Sequence, residues 1–218
     1  LSRKGVANHG LRESGNRLVI PMLDKKLEVV GLQYIEESGS KLFMKHSKKK
    51  GSFFVIDPQQ MRSAHTINYV EGYATGASYY EDLGQPVVVC FDAYNLLPVA
   101  ETVSGWFPEA KHVFIADCDD TKTGEVEAVK AAQAVRRIGA QAEVLMPQSK
   151  GDYNDHAMEG ELLPELNKVE LPVDYEFNVT DKGRMLNTKG NVLGVLTVNQ
   201  ISVHYNVIKK AMEINIPH

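Results

Sequence analysis

Cysteine is scarce in this chain, with two among 218 residues, Cys90 and Cys118. Each lies in or beside an apolar run that reads as a buried strand. They are therefore expected as reduced core residues of a cytoplasmic protein, which argues against the disulfide-rich secreted class. The 7 His are scattered, and no Cys/His cluster has zinc-ligand spacing. No apolar run approaches the length of a membrane span. No hydrophobic region follows Arg3 and Lys4, so no secretory signal is read. A Gly-rich phosphate loop of the Walker type is also missing, which removes that kind of ATPase motor from this stretch. The chain opens on Leu1 rather than Met, and it is expected to be a fragment of a longer polypeptide.

What is present is uneven in charge. The net charge of -4 combines two opposite halves. Residues 1–57 hold 11 Lys/Arg against 6 Asp/Glu, whereas residues 68–165 hold 6 against 17. A basic module joined to an acidic one suits a protein that grips a polyanion with one part and metal ions with the other. Two solvated surfaces of opposite sign fit the same numbers.

The texture also changes along the chain. Leu18 to Pro21, Leu27 to Ile35, Lys41 to Lys45 and Ser52 to Ile56 read as strands of a small antiparallel sheet, with Gly39 and Gly51 at turns. Lys45, Lys48, Lys49 and Lys50 crowd one of its loops beside Phe53 and Phe54. Lysines next to aromatics suit single-stranded nucleic acid, and a solubilising sheet edge looks the same. After Pro58 strands and helices alternate. Strands are expected at 67–71, 86–91, 112–116 and 142–146, with helices near 74–83, 96–105 and 124–138. This is the pattern of an α/β fold with a parallel sheet covered on both faces. Thr123 is placed to cap the last helix, and Trp106 and Phe107 to anchor a helix end in the core. Beyond Leu166 the pattern weakens into an extended stretch to Val179 and a turn at Asp181-Lys182-Gly183. Helices are expected near Gly190–Val198 and Tyr205–Glu213.

Three acidic motifs punctuate this pattern: Glu71-Gly72-Tyr73, Asp117-Cys118-Asp119-Asp120 and Asp152-Tyr153-Asn154-Asp155. The first two follow predicted strands, where loops leave a sheet and ligands bind. Asp117 and Asp119, two apart, can face one site with Glu71 at their side. Such carboxylates suit Mg²⁺ or Mn²⁺ together with a phosphate-bearing substrate. For Asp117 and Asp119 the competing reading is that they cap the next helix.

The set Glu71-Gly72-Tyr73-Ala74-Thr75, Asp117-Cys118-Asp119 and Asp152-Tyr153-Asn154-Asp155 resembles the Toprim domain of bacterial-type primases, topoisomerases and some nucleases. With Phe91-Asp92-Ala93 and Asn95-Leu96 between them, the motifs are most similar to the primase part of phage and plasmid primase–helicase replication proteins. Leu18 to Pro21, Gly31 to Ile35 and Lys41 to Phe43 resemble the subdomain that precedes Toprim there, so the likeness covers about residues 1–160. It implies a Toprim-like, Rossmann-like sheet with flanking helices at 61–165. A basic β-rich subdomain would precede it at 1–60, and 166–218 would lead toward a missing domain. It further implies a metal-dependent DNA primase core that makes RNA primers from ribonucleoside triphosphates on single-stranded DNA, with a helicase domain on the same full-length chain. A Toprim nuclease or a non-catalytic scaffold is the alternative. In this resemblance Glu71 is general base or metal-assisting acid, and Asp117 and Asp119 hold Mg²⁺. Asp155 adds a metal-site carboxylate with Asp152 behind it. Asp92 and Asn95 line the site or serve locally as helix caps, and Asn154 lines it. Bacterial primases often have Arg where Asp120 stands, and Lys122 is the candidate substitute, or simply an exposed loop lysine.

Overall fold

The computed structural model describes residues 1–160, 163–171, 202–206 and 211–215. The chain divides into two compact units, Leu1–Pro172 and Val173–His218.

In the first unit, β1 (Arg12–Ser14), β2 (Arg17–Leu23), β3 (Val29–Ile35) and β4 (Lys41–Phe43) form an antiparallel meander in chain order. The β2–β3 turn closes because the Asp24 carboxylate accepts the N–H groups of Lys26 and Glu28 at 2.8 and 3.1 Å. Ile20 and Met22, two apart on β2, both point into the core.

The second sheet starts with β5 (Phe54–Ile56), and the short helix α1 (Pro58–Met61) leads to β6 (Thr66–Val70). Then come α2 (Tyr73–Leu83), β7 (Val87–Val89), α3 (Leu96–Trp106), β8 (Lys111–Ile115), α4 (Thr123–Arg137), β9 (Gln141–Pro147), α5 (Tyr153–Met158) and β10 (Leu166–Val169). The strand order is β10-β9-β8-β6-β7-β5. The four inner strands are parallel, and both edge strands are antiparallel. Alternation along the strands splits the core into two layers. Ile67, Tyr69, Val88, Cys90, Phe114 and Val144 face α3 and α4. Val70, Val87, Val89, Val113 and Ile115 face α2, Tyr153 of α5, and Ile20 and Met22 of the first sheet. The N-terminal sheet thus docks on the α2 side of the second one.

Several expectations change. The stretch Ser52 to Ile56 joins the meander at Phe53, which exchanges N–H···O bonds of 2.8 and 2.9 Å with Leu23 of β2. Phe54–Ile56 then leaves it, is buried along its length and pairs with β7. Phe53 and Phe54 are 0% and 6% exposed, so neither ring is free to stack on a base. Trp106 meets the Phe53 ring edge-on, with ring centroids 5.9 Å apart, and stays 41% exposed. Helix α5 and strand β10 are not anticipated by the sequence reading. In the second unit, the helix expected near Tyr205–Glu213 is instead an antiparallel pair, β11 (Ser202–Asn206) with β12 (Ala211–Asn215). Its sequence alternates apolar and polar residues, Val203-His204-Tyr205 and Met212-Glu213-Ile214, and that period-two pattern is the signature of a strand. The helix expected near 190–198 and the turn at 181–183 lie outside the described residues.

Candidate active site

Strand β6 connects through α2 to β7 on one side, while β8 lies against β6 on the other. The direction of strand addition reverses there, and such a point opens a crevice at the carboxyl ends of the strands. Glu71 is the first residue past β6, and Asp117 lies two past β8. Burial, then the charges of Asp92 and Asp119, pushes the Glu71 carboxyl up to about 7. Burial, then the Glu71 and Asp152 charges, pushes Asp117 up to about 8. Glu71 Oε1 and Asp117 Oδ1 are both buried without a hydrogen-bond partner. The first turn of α4 packs against them. A Cβ added at Gly124 would lie 2.8 Å from the Asp117 carbonyl oxygen and 2.9 Å from Glu71 Oε1, closer than real Cβ atoms approach. Only glycine lets the helix come this near.

Asp119 turns to the helix instead. Its carboxylate accepts the Thr121 hydroxyl at 2.6 Å and faces the N–H groups of Thr121, Thr123 and Gly124, which hold its carboxyl below the usual range. Thr121 passes the link on, its hydroxyl accepting the N–H of Thr123 at 3.3 Å, so Thr123 stands at the first helical position and is not the cap. Asp119 still acts on the acid pair through its charge. Lys122, exposed and left-handed at φ 55°, opens the helix without a side-chain cap bond. Asp120 is ion-paired with Lys150 at the surface.

The third acidic motif reaches the second through the backbone. Cys118 and Gly151 exchange N–H···O bonds, both 3.0 Å, and this brings Asp152 close enough to raise Asp117. Asp152 also caps α5, accepting the Asp155 N–H at 3.0 Å. Asp155 returns that bond to the Asp152 N–H at 3.2 Å and pairs with Lys4 at 2.9 Å. Asn154 is fully buried and donates to the Lys4 carbonyl at 2.7 Å and the Ser78 hydroxyl at 2.8 Å. In this motif Asp152 is the residue that acts on the acid pair, while Asp155 and Asn154 bind the N-terminal segment.

Residues 66–161 match the family model described as the Toprim domain. That stretch is similar to a Toprim domain. The chain is 36% identical over 151 residues to the DNA primase TraC of Escherichia coli, a match covering 65% of this chain and 14% of that protein. The chain thus spans about a seventh of that relative. Its fold is similar to the primase fragment of the bacteriophage T7 primase–helicase protein, with a TM-score of 0.56 and 16% identity over 73% of this chain and 69% of that one. It is also similar to the DnaG catalytic core, with a TM-score of 0.53 and 15% identity over 84% and 62% of the two chains.

The N-terminal sheet adds to this crevice a residue that the sequence reading missed. Lys41, on β4, lowers both Glu71 and Asp117 by its charge, and its Nζ lies 3.3 Å from where a Gly72 Cβ would be. Its only signal in the sequence is a place on an edge strand. Lys49 pairs with Asp92 and stands 5.3 Å over the Phe43 ring. Lys45, Lys48 and Lys50 are exposed around that loop. Asp92 caps a short 3₁₀ turn through the Asn95 N–H at 3.0 Å and adds its charge to Glu71. Asn95 is buried and spends its amide on structure. Its side chain bonds the Gly51 N–H at 2.7 Å, the Ser52 carbonyl at 2.8 Å and the Cys90 carbonyl at 2.7 Å. It clamps the lysine loop to the end of β7.

Among the described residues, no group of three His, Cys, Asp or Glu side chains is placed to hold a metal ion by itself. Mg²⁺ rarely needs one, since it is bound by one or two carboxylates and completes its shell with waters and substrate phosphates. The two orphaned oxygens, Glu71 Oε1 and Asp117 Oδ1, are the donor type it requires. The site fits the ion.

Proposed function

We propose that this chain is the catalytic core of a DNA primase, joining ribonucleotides on a single-stranded DNA template with Mg²⁺ or Mn²⁺. The observation that carries this reading is the pair of buried, unpartnered carboxylate oxygens of Glu71 and Asp117 at the strand-order reversal. Two carboxylate oxygens left without donors inside a protein are costly unless a cation or a proton completes them. Glu71 and Asp117 would hold the ion, which when bound supplies charge stabilisation for the transferring phosphoryl group and activation of the attacking hydroxyl. Asp119 fixes the first turn of α4 and adds negative charge, and Asp152 does the same from the α5 side. Glu71 at the end of β6 is also placed to accept the proton that the attacking 3′-hydroxyl loses. Lys41 and the lysines at 45, 48, 49 and 50 provide the cationic side on which nucleotide phosphates and the template lie, with Lys122 a further contact. Residues 1–60 then serve as template-holding subdomain, 61–165 as catalytic domain and 166–218 as the link to further parts. A helicase domain on the full-length protein fits the likeness to a primase–helicase.

The test is incorporation of labelled ribonucleotides on single-stranded DNA with Mg²⁺ or Mn²⁺, comparing wild type with Asp117→Ala. Template-dependent oligoribonucleotides from wild type alone support the primase. Template shortening that depends on Asp117, without products, turns the assignment to a nuclease. Absence of both, with metal binding intact, leaves a scaffold.

A further inference from the structure

Phe53 and Phe54, the aromatics nearest the lysine run in sequence, are buried, yet two other rings stand open beside the same crevice. Phe43 is 38% exposed and Tyr94 is 70% exposed. Phe43 shares a face of β4 with Lys41, because residues two apart on a strand point the same way. Lys41 reaches the acid pair, so Phe43 is the next side chain outward along that face. Its ring meets the edge of Phe91 at 6.2 Å and 81°, and Lys49 Nζ sits 5.3 Å above it. Phe91 is held at φ 73°, a strained conformation for a bulky residue, and the Asp92–Asn95 turn follows it. In that turn Ala93 and Asn95 face inward, and Tyr94 is left outside. The Ala93 N–H faces the Glu71 carboxylate, so Tyr94 is one residue from the site.

We propose that Phe43 and Tyr94 form a stacking shelf for a base of the single strand, adjacent to the reacting end. This inference rests on the primase reading for its ligand class. Two exposed rings among Lys41, Lys45, Lys48, Lys49 and Lys50 offer what a single strand needs, flat apolar faces for bases and cations for its backbone. An apolar protein partner would find this rim of ammonium groups costly to desolvate. Lys49, ion-paired to Asp92 and lying over Phe43, closes one side of the shelf. The stacked base then lies between the acid pair and the lysine loop.

The experiment measures binding of a fluorescein-labelled single-stranded oligodeoxynucleotide to this chain by anisotropy, for wild type, Phe43→Leu and Tyr94→Leu. The same oligonucleotide carrying abasic positions is measured in parallel. Each substitution is expected to weaken binding of the intact strand about tenfold, the scale of one lost base–aromatic stack. Binding of the abasic strand should change little, and the slope of affinity with salt should stay as in wild type. Leu keeps an apolar side chain at both positions, and circular dichroism confirms folding. Intact-strand affinity unchanged in both variants overturns the shelf, as does an equal loss on the abasic strand. A deficit seen only with free ribonucleoside triphosphate overturns the strand assignment in favour of the nucleotide. Shelf and primase reading fail separately: stacking without primer synthesis removes the primase alone, and primer synthesis with unaltered variant binding removes the shelf alone.

Discussion

Burial raises the carboxyls of Glu71 and Asp117 to about 7 and about 8, so the metal-free chain keeps protons there that the unfolded chain releases near pH 4. A carboxyl raised on folding contributes stability that is present below the unfolded value and lost as pH rises through the folded one. The melting temperature of the metal-free chain is therefore expected to fall between about pH 4 and pH 8 on account of this pair. Added Mg²⁺ should raise it more at pH 8 than at pH 5. Calorimetric melts at the two pH values, with and without Mg²⁺, check this, and a Mg²⁺ effect independent of pH would contradict it. A second prediction concerns Gly124. Alanine is the better helix former by about 1 kcal/mol, so Gly124→Ala should stabilise an unobstructed helix. Here the new Cβ meets the Asp117 backbone and the Glu71 carboxylate. A net loss of about 1–3 kcal/mol is expected in urea titrations, with weakened Mn²⁺ binding by electron paramagnetic resonance.

At the scale of elements, Asp119 holds the start of α4 through the Thr121 hydroxyl, which in turn accepts the Thr123 N–H. Asp119→Ala should lower the melting temperature, and Asp119→Asn should restore it, because the Asn side-chain oxygen still accepts that hydroxyl. Ribonucleotide incorporation should stay lost in both, which separates the hydrogen bond from the charge. Asn95 binds the loop of lysines to β7 with three hydrogen bonds in a buried place. Asn95→Ala should cost on the order of 3 kcal/mol in chemical denaturation. Elements were also where the sequence was most unevenly readable. The α/β alternation and the acids at strand ends stand in it, because apolar runs and periodicity are local properties. That Phe54–Ile56 joins β7 rather than the meander depends on a partner more than thirty residues away, which no local pattern encodes. Lys41 was invisible as a site residue for the same reason. Asp119 and Asp155 look alike in sequence to Asp117 and Asp152, and only the backbone N–H groups and Lys4 that they meet tell them apart.

The charge asymmetry acts over the whole molecule. A single strand bound along the lysine loop displaces counterions, so its affinity should fall linearly with the logarithm of salt concentration. Each lysine removed, Lys45→Ala or Lys50→Ala, should reduce that slope by about 0.7. Anisotropy titrations at several salt concentrations measure it, and an unchanged slope would place the strand elsewhere.

The reversal of strand order also sets when the site can exist. Glu71 is made early and ends the strand that becomes central, yet the acid facing it belongs to β8, which is added on the opposite side only after α2, β7 and α3. Asp152 arrives later still. A nascent chain emerging from the ribosome carries Glu71 through the next 46 residues, as far as Asp117, with one flank of β6 uncovered. It has no place to hold an ion until the fourth strand of the sheet comes out. On the proposed reading, an ion is held only by chains in which β8 has already joined β6.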